Sequence, residues 1–324
     1  MGLASMKLRE IDLCPLCESI EKVEIERIPY HEIWKGLEKE WKAVFSKKAI
    51  ENNSPSELTT LVQCKNCGLQ YFVPVASGDS QFYCELSQSP IYYSKQKWEF
   101  VWVRKNLRAE DYVLDIGSGD GVFLDSITNQ VKRAIGIDTN AEAIRCAKRK
   151  GLNAILTNIE DFSKENMRKF DIVCCFHVIE HLERVNPFLK AAISCLKPDG
   201  TLILSAPNRD RITKRVFESL DYPPHHVSRW QSSQLGKLAD IMGIKLEKIV
   251  MEIADRDACH KWLREKLSYK VLNGRSKLSI VLGKAASFIT FLPPLHNFYR
   301  IVGLLGKCGL FRLSMLGVYK KGLV

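Results

Sequence analysis

The sequence has 324 residues, which is enough for one large domain or two smaller ones. Apolar residues make up 46% and charged residues 26%, and this ordinary globular usage excludes disordered, collagen-like and disulfide-scaffold classes. Lys and Arg number 48 against 37 Asp and Glu, and the whole excess lies in residues 256–324, which hold 13 basic and 2 acidic residues.

The cysteines and the apolar segments indicate a cellular compartment. Eleven cysteines, an odd number, are scattered along the chain, and no secretory leader opens it, so we expect a reducing cytoplasm. The longest apolar stretch without charges, residues 285–299, has 15 residues and two prolines. A membrane-spanning helix needs roughly 20 residues, so none is predicted.

The first motif is a pair of C-x-x-C knuckles, Cys14–Cys17 and Cys64–Cys67, the second followed by glycine. Each knuckle forms a tight turn that directs two thiolates at one ion, so the pair predicts a tetrahedral zinc ribbon. Four unrelated buried cysteines are the alternative. A redox C-x-x-C would need only one such motif.

Two groups of apolar residues accompany the ribbon. Between the knuckles, residues at helical spacing predict a helix with a buried face: Ile33, Trp34, Leu37, Trp41, Val44 and Phe45. Residues 81–107 are rich in aromatic side chains, among them Phe82, Tyr83, Tyr92, Tyr93, Trp98, Phe100 and Trp102. They either pack the ribbon onto the next domain or line a substrate pocket.

From residue 111 short apolar runs alternate with amphipathic segments, which is typical of a parallel sheet flanked by helices. Strands are predicted at 112–116, 133–137, 153–156, 170–176, 201–205, 244–252 and 311–319. Helices are predicted at 121–130, 141–150, 186–196 and 232–242, with Asn140 as a cap, a turn at 197–200 and Gly243 as a stop.

The fold class that follows is α/β, a doubly wound, seven-stranded, mostly parallel Rossmann-like sheet with an N-terminal zinc ribbon and a helical insertion before the last strand. The predicted domains are a zinc ribbon with helical insert over 1–90, a core over 91–255, a basic apolar insertion over 256–309 and the final core strand over 310–324.

A glycine-rich loop, Asp115-Ile-Gly-Ser-Gly-Asp-Gly121, joins the first core strand to its helix. Glycines let the backbone turn sharply and approach a ligand, and the helix start offers free N–H groups. Asp138 ends the second strand, 23 residues after Asp115, where a carboxylate can accept both hydroxyls of a ribose. The pattern predicts a nucleotide-type site.

The loop reads D-x-G-x-G-x-G and resembles that of the class I S-adenosylmethionine-dependent methyltransferases. The resemblance covers about residues 98–255 and the last strand, and includes Phe170–Val173 and Leu196–Leu202. It implies S-adenosylmethionine as cofactor, with Asn158 standing where the family often has an adenine-binding Asp. A Rossmann-like protein with another ligand is the alternative. The cofactor-binding residues so implied are Asp115, Gly117, Ser118, Gly119, Gly121, Asp138, Thr139, Asn158, Ile159 and Phe176.

Four histidines and a glutamate follow the fourth and fifth strands: His177, Glu180, His181, His225 and His226. Carboxyl ends of parallel strands share one edge of the sheet, so we expect these catalytic candidates to converge. Their spacing resembles the E-x-x-E-H of small-RNA terminal and ubiquinone-pathway methyltransferases, which implies a divalent cation at His177, Glu180, His181 and His226. A metal-free base or acceptor pocket, and a structural role, are the alternatives.

Two observations restrict the chemical groups that this chain is expected to methylate. Methylation of an adenine or amide nitrogen commonly uses an Asn/Asp-Pro-Pro-aromatic element after strand four, whereas this chain has Phe176-His-Val-Ile179. Cys174 and Cys175 lie within an apolar strand and are predicted to be buried packing residues. Hydroxyl and carbanion acceptors remain.

The basic tail suggests three kinds of contact. Residues 266–309 combine Lys and Arg with apolar residues, which suits peripheral binding to an anionic membrane surface. Packing or oligomer contacts and nucleic-acid binding are the other readings.

Together these features predict a cytoplasmic S-adenosylmethionine-dependent methyltransferase with structural zinc. A peripheral position at the inner membrane face is the alternative location. The expected acceptor is a hydroxyl of a sugar, glycolipid or small metabolite. A sugar C-methyltransferase is one alternative. A nucleic-acid-binding module with a cofactor-sensing core is another.

Overall fold

The computed structural model describes residues 12–90, 92, 97–211, 217–252 and 314–322. By its contacts the chain divides into two units, of which the first contains Met1–Arg209, Val216–Val250 and Ser314–Val324. The second unit, Asp210–Arg215 and Met251–Leu313, lies almost wholly outside the described residues. The predicted insertion over 256–309 is therefore also outside them.

The N-terminal part of the first unit is an antiparallel sheet with helices between its strands. Its elements in chain order are β1 (Lys22–Pro29), α1 (Tyr30–Trp41), α2 (Lys47–Asn52), β2 (Leu58–Cys64), β3 (Gln70–Val73) and α3 (Ser80–Ser87). Strand β2 pairs with β1 on one side and β3 on the other. The first cysteine knuckle precedes β1, and the second begins at the last residue of β2 and ends before β3.

Helix α1 confirms the helix predicted between the knuckles. Ile33, Trp34 and Leu37 are buried on its inner face. Trp41 ends the helix and is only partly buried, and Val44 lies beyond the helix with 82% of its surface exposed. The prediction that Val44 belongs to the core is wrong, because Lys42 adopts a left-handed conformation that ends the helical repeat.

The second part of the unit alternates strands and helices. Its elements are α4 (Trp98–Arg104), β4 (Tyr112–Ile116), α5 (Val122–Ile127), β5 (Arg133–Asp138), α6 (Ala141–Arg149), β6 (Ala154–Leu156), α7 (Ile159–Glu165), β7 (Phe170–Phe176), α8 (Val185–Cys195), β8 (Leu196–Pro207), β9 (Ser228–Arg229), α9 (Ser232–Met242), β10 (Lys245–Met251) and β11 (Ser314–Lys320). Single 3-10 turns span Ile179–His181 and Ser219–Asp221. Among the residues that the structure describes, no helix has the length and apolar character that crossing a membrane requires.

Seven of these strands form one sheet in the order β10-β11-β8-β7-β4-β5-β6. The pairs β7–β8, β4–β7, β4–β5 and β5–β6 are parallel, and β11 is antiparallel to β8. This confirms the predicted seven-stranded, mostly parallel sheet. The chain order reverses between β4 and β7, and ligands of such sheets bind beyond the carboxyl ends of the strands at that point.

Local details mostly follow the sequence, with one difference. Asn140 caps α6 through its side chain, Gly243 ends α9 in a left-handed conformation, and Cys174 and Cys175 are fully buried. The turn predicted at 197–200 is instead part of β8, where the pairing with β7 shifts register and Asp199 has a φ of 59°. The turn residues form a bulge because the strand continues through them.

The ribbon sheet and the larger sheet are joined by backbone contacts. Strand β9 pairs antiparallel with β3 and thus becomes the fourth strand of the ribbon sheet. The N–H groups of Val185 and Asn186, at the start of α8, donate to the carbonyl of Pro15 in the first knuckle at 2.9 and 3.0 Å. The ribbon therefore holds the segments that follow β7 and β8.

Candidate active site

The four knuckle cysteines converge as the sequence predicts. The Sγ atoms of Cys14 and Cys67 lie 3.5 Å apart, those of Cys17 and Cys64 lie 3.4 Å apart, and all four lie within 4.8 Å of one another. A zinc ion bound tetrahedrally at Zn–S distances of about 2.3 Å requires S–S separations of roughly 3.8 Å. The donor set therefore fits a structural zinc ion.

The glycine loop joins β4 to α5 and has left-handed backbone at each glycine that the motif predicts. Gly117, Gly119 and Gly121 have φ values of 74°, 55° and 84°. A Cβ on Gly117 would lie 2.5 Å from Val178, and one on Gly121 would lie 2.5 Å from Leu152, whereas a Cβ on Gly119 would meet nothing within 4 Å. The loop is packed at both ends and open at Gly119, which fits a ligand that approaches the backbone there.

Asp138 lies at the carboxyl end of β5 with its carboxylate fixed by the backbone. One oxygen accepts the N–H of Gly119 at 2.9 Å and the other accepts the N–H of Asn140 at 2.7 Å. A carboxylate oxygen has two lone pairs, so each oxygen can still accept a hydroxyl. The position and orientation fit recognition of two vicinal hydroxyls.

Two buried polar side chains lie beside this loop. Burial, and then the charge of Asp138, raise the pKa of Asp115 to about 7. The hydroxyl of Ser118 is buried without a hydrogen-bond partner among the described residues. The Ser118 hydroxyl therefore leaves hydrogen-bonding capacity in the glycine loop, because buried polar groups are normally paired.

The other predicted cofactor residues have these positions. Asn158 caps α7, its amide oxygen accepting the N–H of Asp161 at 2.7 Å. Thr139 is exposed, Ile159 is buried, and the ring of Phe176 packs between Phe100 and Phe123. Their contacts with a cofactor stay predictions.

His177 forms the centre of a buried ion triad. Its Nε2 lies 2.7 Å from Glu99 and its Nδ1 lies 3.3 Å from Glu180. Burial lowers the pKa of His177, but the charge of Glu180 at 3.3 Å and the hydrogen bond to Glu99 outweigh burial and raise this pKa to about 9. His177 is therefore a cation at neutral pH, and both of its ring nitrogens are engaged.

The partner carboxylates remain ionised for the same reason. Burial opposes ionisation of Glu180 most strongly, yet the ion pair with His177 at 3.3 Å brings the pKa of Glu180 down to about 2. The backbone of His177 is left-handed, with a φ of 55°. Such strain in a residue other than glycine persists where surrounding contacts enforce it.

Three other histidines come together beside the triad. Candidate ligand atoms of His181, His225 and His226 lie within 4.8 Å of one another, and the ring centroids are 4.4 to 4.8 Å apart. Burial is the largest cause that lowers the pKa of His181 to about 4, and it also lowers that of His225 far below its usual value. Both rings are therefore neutral.

Hydrogen bonds fix which nitrogen of these rings carries the proton. Nδ1 of His181 lies 2.6 Å from the carbonyl of His225, so it carries the hydrogen and Nε2 keeps its lone pair. Nδ1 of His225 donates to the carbonyl of Leu220 at 3.0 Å, and Nε2 accepts from Tyr92 at 3.0 Å. His181 thus has a basic nitrogen without a hydrogen-bond partner among the described residues, whereas both nitrogens of His225 are engaged.

The N-terminal region contributes side chains to this cluster. The hydroxyl of Tyr83 lies 3.0 Å from Nδ1 of His181, and Tyr92 binds His225. Of the two roles open for the aromatics of residues 81–107, these two tyrosines line the site, whereas Phe82 packs in the ribbon core.

Two carboxylates that contact these histidines were not predicted from the sequence. Glu99 pairs with His177 across 78 positions, and Asp221 lies 3.7 Å from Nδ1 of His226. An isolated carboxylate within the aromatic run Trp98-Glu99-Phe100 was the available signal for Glu99. No sequence pattern distinguishes Asp221 from other loop acids.

The glycine loop contacts the segment His177–His181, which we call the histidine loop. The methyl group of Val178 fills the space beside Gly117, so the segment His177–His181 directly borders the nucleotide-type loop. Groups able to accept a proton therefore lie next to the predicted donor site. The arrangement suits group transfer between a bound nucleotide derivative and a second molecule.

Comparison with known proteins agrees with this geometry. Residues 94–249 match the "Methyltransferase domain" family. A ubiquinone biosynthesis O-methyltransferase of Xanthomonas oryzae pv. oryzae is 31% identical over 117 residues, 34% of this chain and 48% of that protein. Its counterpart in Xanthomonas euvesicatoria pv. vesicatoria is 32% identical over 117 residues, which again cover 34% of this chain and 48% of that protein. The chain therefore spans about half the length of the curated relatives it matches.

A solved structure of a SAM-dependent methyltransferase from Archaeoglobus fulgidus is 18% identical and covers 75% of this chain and 100% of its own, with a TM-score of 0.49. The glycine loop, Asp138 and the histidine loop all lie within the matched residues 94–249. These residues lie in the part of the chain that matches the methyltransferase domain family, just under half of its length.

Proposed function

We propose that this chain transfers the methyl group of S-adenosylmethionine to a hydroxyl oxygen of a small acceptor, a sugar, a glycolipid or another metabolite. The observation that supports the proposal is the contact of Val178 with Gly117, by which the segment that carries His181 borders the glycine loop. The curated relatives are named as O-methyltransferases, which supports oxygen as the acceptor atom.

The cofactor supplies a methyl group that a sulfonium has already activated. The protein then has to align donor and acceptor and exclude water. Asp138 would hold the ribose, and the loop around Gly119 would admit the rest of the donor. An attacking hydroxyl becomes strongly acidic as its oxygen bonds to carbon, so even a weak base such as Nε2 of His181 can take the proton. His177 is protonated and is assigned a positioning role.

The test uses the full chain, an extract and cofactor carrying an isotope-labelled methyl group. We expect one labelled product, and the chemical shift of its methyl group distinguishes oxygen from carbon as acceptor. His181→Gln should lower the rate of labelling without changing cofactor affinity. The matched control is His31→Gln, because His31 is exposed on α1. Absence of cofactor binding by the folded protein would refute the proposal.

A second divalent cation is a further candidate. His181, His225 and His226 are close enough to share an ion, whereas both nitrogens of the predicted ligand His177 face carboxylates. Binding through Nε2 of His225 would require Tyr92 to leave it. Metal analysis of the purified chain decides the matter: one equivalent of zinc leaves the cluster metal-free, and a second equivalent that His226→Ala removes assigns an ion to it.

The remaining proposed partners concern residues outside the described part of the chain. Residues 266–309 would give peripheral contact with anionic membrane, and flotation with vesicles of anionic lipid tests this directly. A salt-dependent shift with oligonucleotides would favour the nucleic-acid-binding alternative instead.

A further inference from the structure

Arg229 is a buried cation with unused hydrogen-bond donors. It lies on β9, only 4% of its surface is exposed, and its Nε donates to the carbonyl of Asp221 at 3.3 Å. Its Nη1 and Nη2 are buried and have no hydrogen-bond partner among the described residues. A guanidinium is always charged, so its remaining N–H groups have lost water and gained no acceptor.

The surroundings of the guanidinium are aromatic. Its Cζ lies 4.9 Å from the ring centre of Phe72 and 4.4 Å from that of Tyr222. Ring faces attract a cation, but they accept no strong hydrogen bond. A residue needed only to fill this space would be apolar, since an unpaired buried charge costs more than packing returns. The two rings lie against the guanidinium and leave the N–H groups of Nη1 and Nη2 without an acceptor among the described residues.

The site lies close to the histidine cluster. Asp221 contacts Arg229 through its backbone carbonyl, while its carboxylate lies 3.7 Å from His226 and 3.8 Å from Arg209. The carboxylate of Asp221 therefore faces Arg209 and the ring of His226.

We propose that Arg229 binds an oxyanion, a carboxylate or a phosphate, carried by the acceptor molecule. The planar guanidinium presents two parallel N–H groups that match the two oxygens of such a group. The inference rests on the proposed methyl transfer and restricts it to anionic acceptors. Because Tyr222 covers the guanidinium, the segment carrying Tyr222 has to move before an anion enters.

The test measures binding of small oxyanions to the full chain saturated with S-adenosylhomocysteine. The probes are 4-hydroxybenzoate, phenyl phosphate and the neutral 4-hydroxybenzyl alcohol, and calorimetry measures the affinity of the chain for each. We expect at least one charged probe to bind the wild type more tightly than the neutral probe. Arg229→Met should weaken that probe at least tenfold, and Arg229→Lys should weaken it less. Arg27→Met is the matched control, because Arg27 is an exposed arginine of the same sheet.

Urea unfolding of the same variants separates binding from packing. If Arg229 serves a ligand, Arg229→Met unfolds at the wild-type urea concentration or above it, because an unpaired buried charge has been removed. A lower midpoint together with unchanged anion affinity would make Arg229 a packing residue and overturn the proposal. So would failure of both charged probes to bind the wild type. Cofactor binding is titrated separately, so its failure would refute methyl transfer while an Arg229-dependent anion site would stand.

Discussion

Replacing Asp115 by asparagine should stabilise the folded chain at pH 8 and have little effect near pH 4. Asp115 is fully buried below the glycine loop, and burial together with the charge of Asp138 raises its pKa from 3.8 to about 7. The folded chain therefore keeps a proton that the unfolded chain releases. Its stability should fall as the pH rises from about 4 to 7 and change little above that range.

The size of the effect follows from the two pKa values. Each pH unit between 3.8 and about 7 corresponds to about 1.4 kcal/mol, so ionised Asp115 costs the folded state about 4 kcal/mol at pH 8. At pH 5 the same reasoning gives about 2 kcal/mol. An asparagine at position 115 carries no such cost. The free energy of unfolding of the variant should exceed that of the wild type by an amount that grows by about 2 to 3 kcal/mol between pH 5 and pH 8.

The assay is urea unfolding of cofactor-free protein at pH 5, 6, 7 and 8, compared between variant and wild type. All other titrating groups are common to both chains, so their contributions cancel in the difference. Asp240→Asn is the matched control because Asp240 is exposed on α9, and we expect a change within about 0.5 kcal/mol at every pH. A difference between Asp115→Asn and wild type that does not depend on pH, or a variant less stable throughout, would refute the raised pKa.

Three further predictions concern the ribbon, the histidine cluster and the glycine loop. Metal analysis should find zinc bound to the knuckles, and Cys17→Ser should lose most of it, whereas Cys84→Ser, at an exposed thiol outside the knuckles, should keep it. Tyr83→Phe removes a hydroxyl 3.0 Å from His181 and should lower turnover about tenfold with unchanged cofactor affinity. Gly117→Ala should lower the free energy of unfolding in urea more than Gly151→Ala does, by about 1 kcal/mol or more, and should abolish cofactor binding. Both positions have positive φ, but only the Cβ at position 117 would clash with another side chain.

Each of these has a result that would count against it. Zinc retained by Cys17→Ser would mean that the knuckles do not hold the ion. A rise in the Michaelis constant of the cofactor in the tyrosine variant, with turnover unchanged, would place that tyrosine at the donor site. Equal losses in the two glycine variants would show that left-handed backbone alone accounts for the cost.

The parts of the site that could be predicted from the sequence each lie within a short stretch of the chain. A strand, a glycine turn and a helix start lie within residues 112–122, and their pattern contains the physical requirements of the loop. The cysteine knuckles are local in the same sense, because each pair of thiolates comes from one tight turn. Their convergence across 47 to 53 positions could be predicted since one ion needs four ligands.

Contacts made by single residues between distant segments could not be predicted. Glu99 meets His177 across 78 positions, and Tyr92 meets His225 across 133. Strand β9 has only two residues, too few for any alternating pattern, yet it completes the ribbon sheet. These pairings depend on how the ribbon packs on the larger sheet, which composition and periodicity do not encode.

The same packing gives the ribbon a place in the proposed chemistry. Strand β3 holds β9, and β9 ends the segment that carries His225 and His226. The knuckle carbonyl of Pro15 binds the start of α8, a few residues after His181. If zinc were removed, both histidine segments would lose backbone partners at once. Loss of the ion should therefore lower turnover before it unfolds the seven-stranded sheet, since that sheet forms its own ladder of strands without the ribbon.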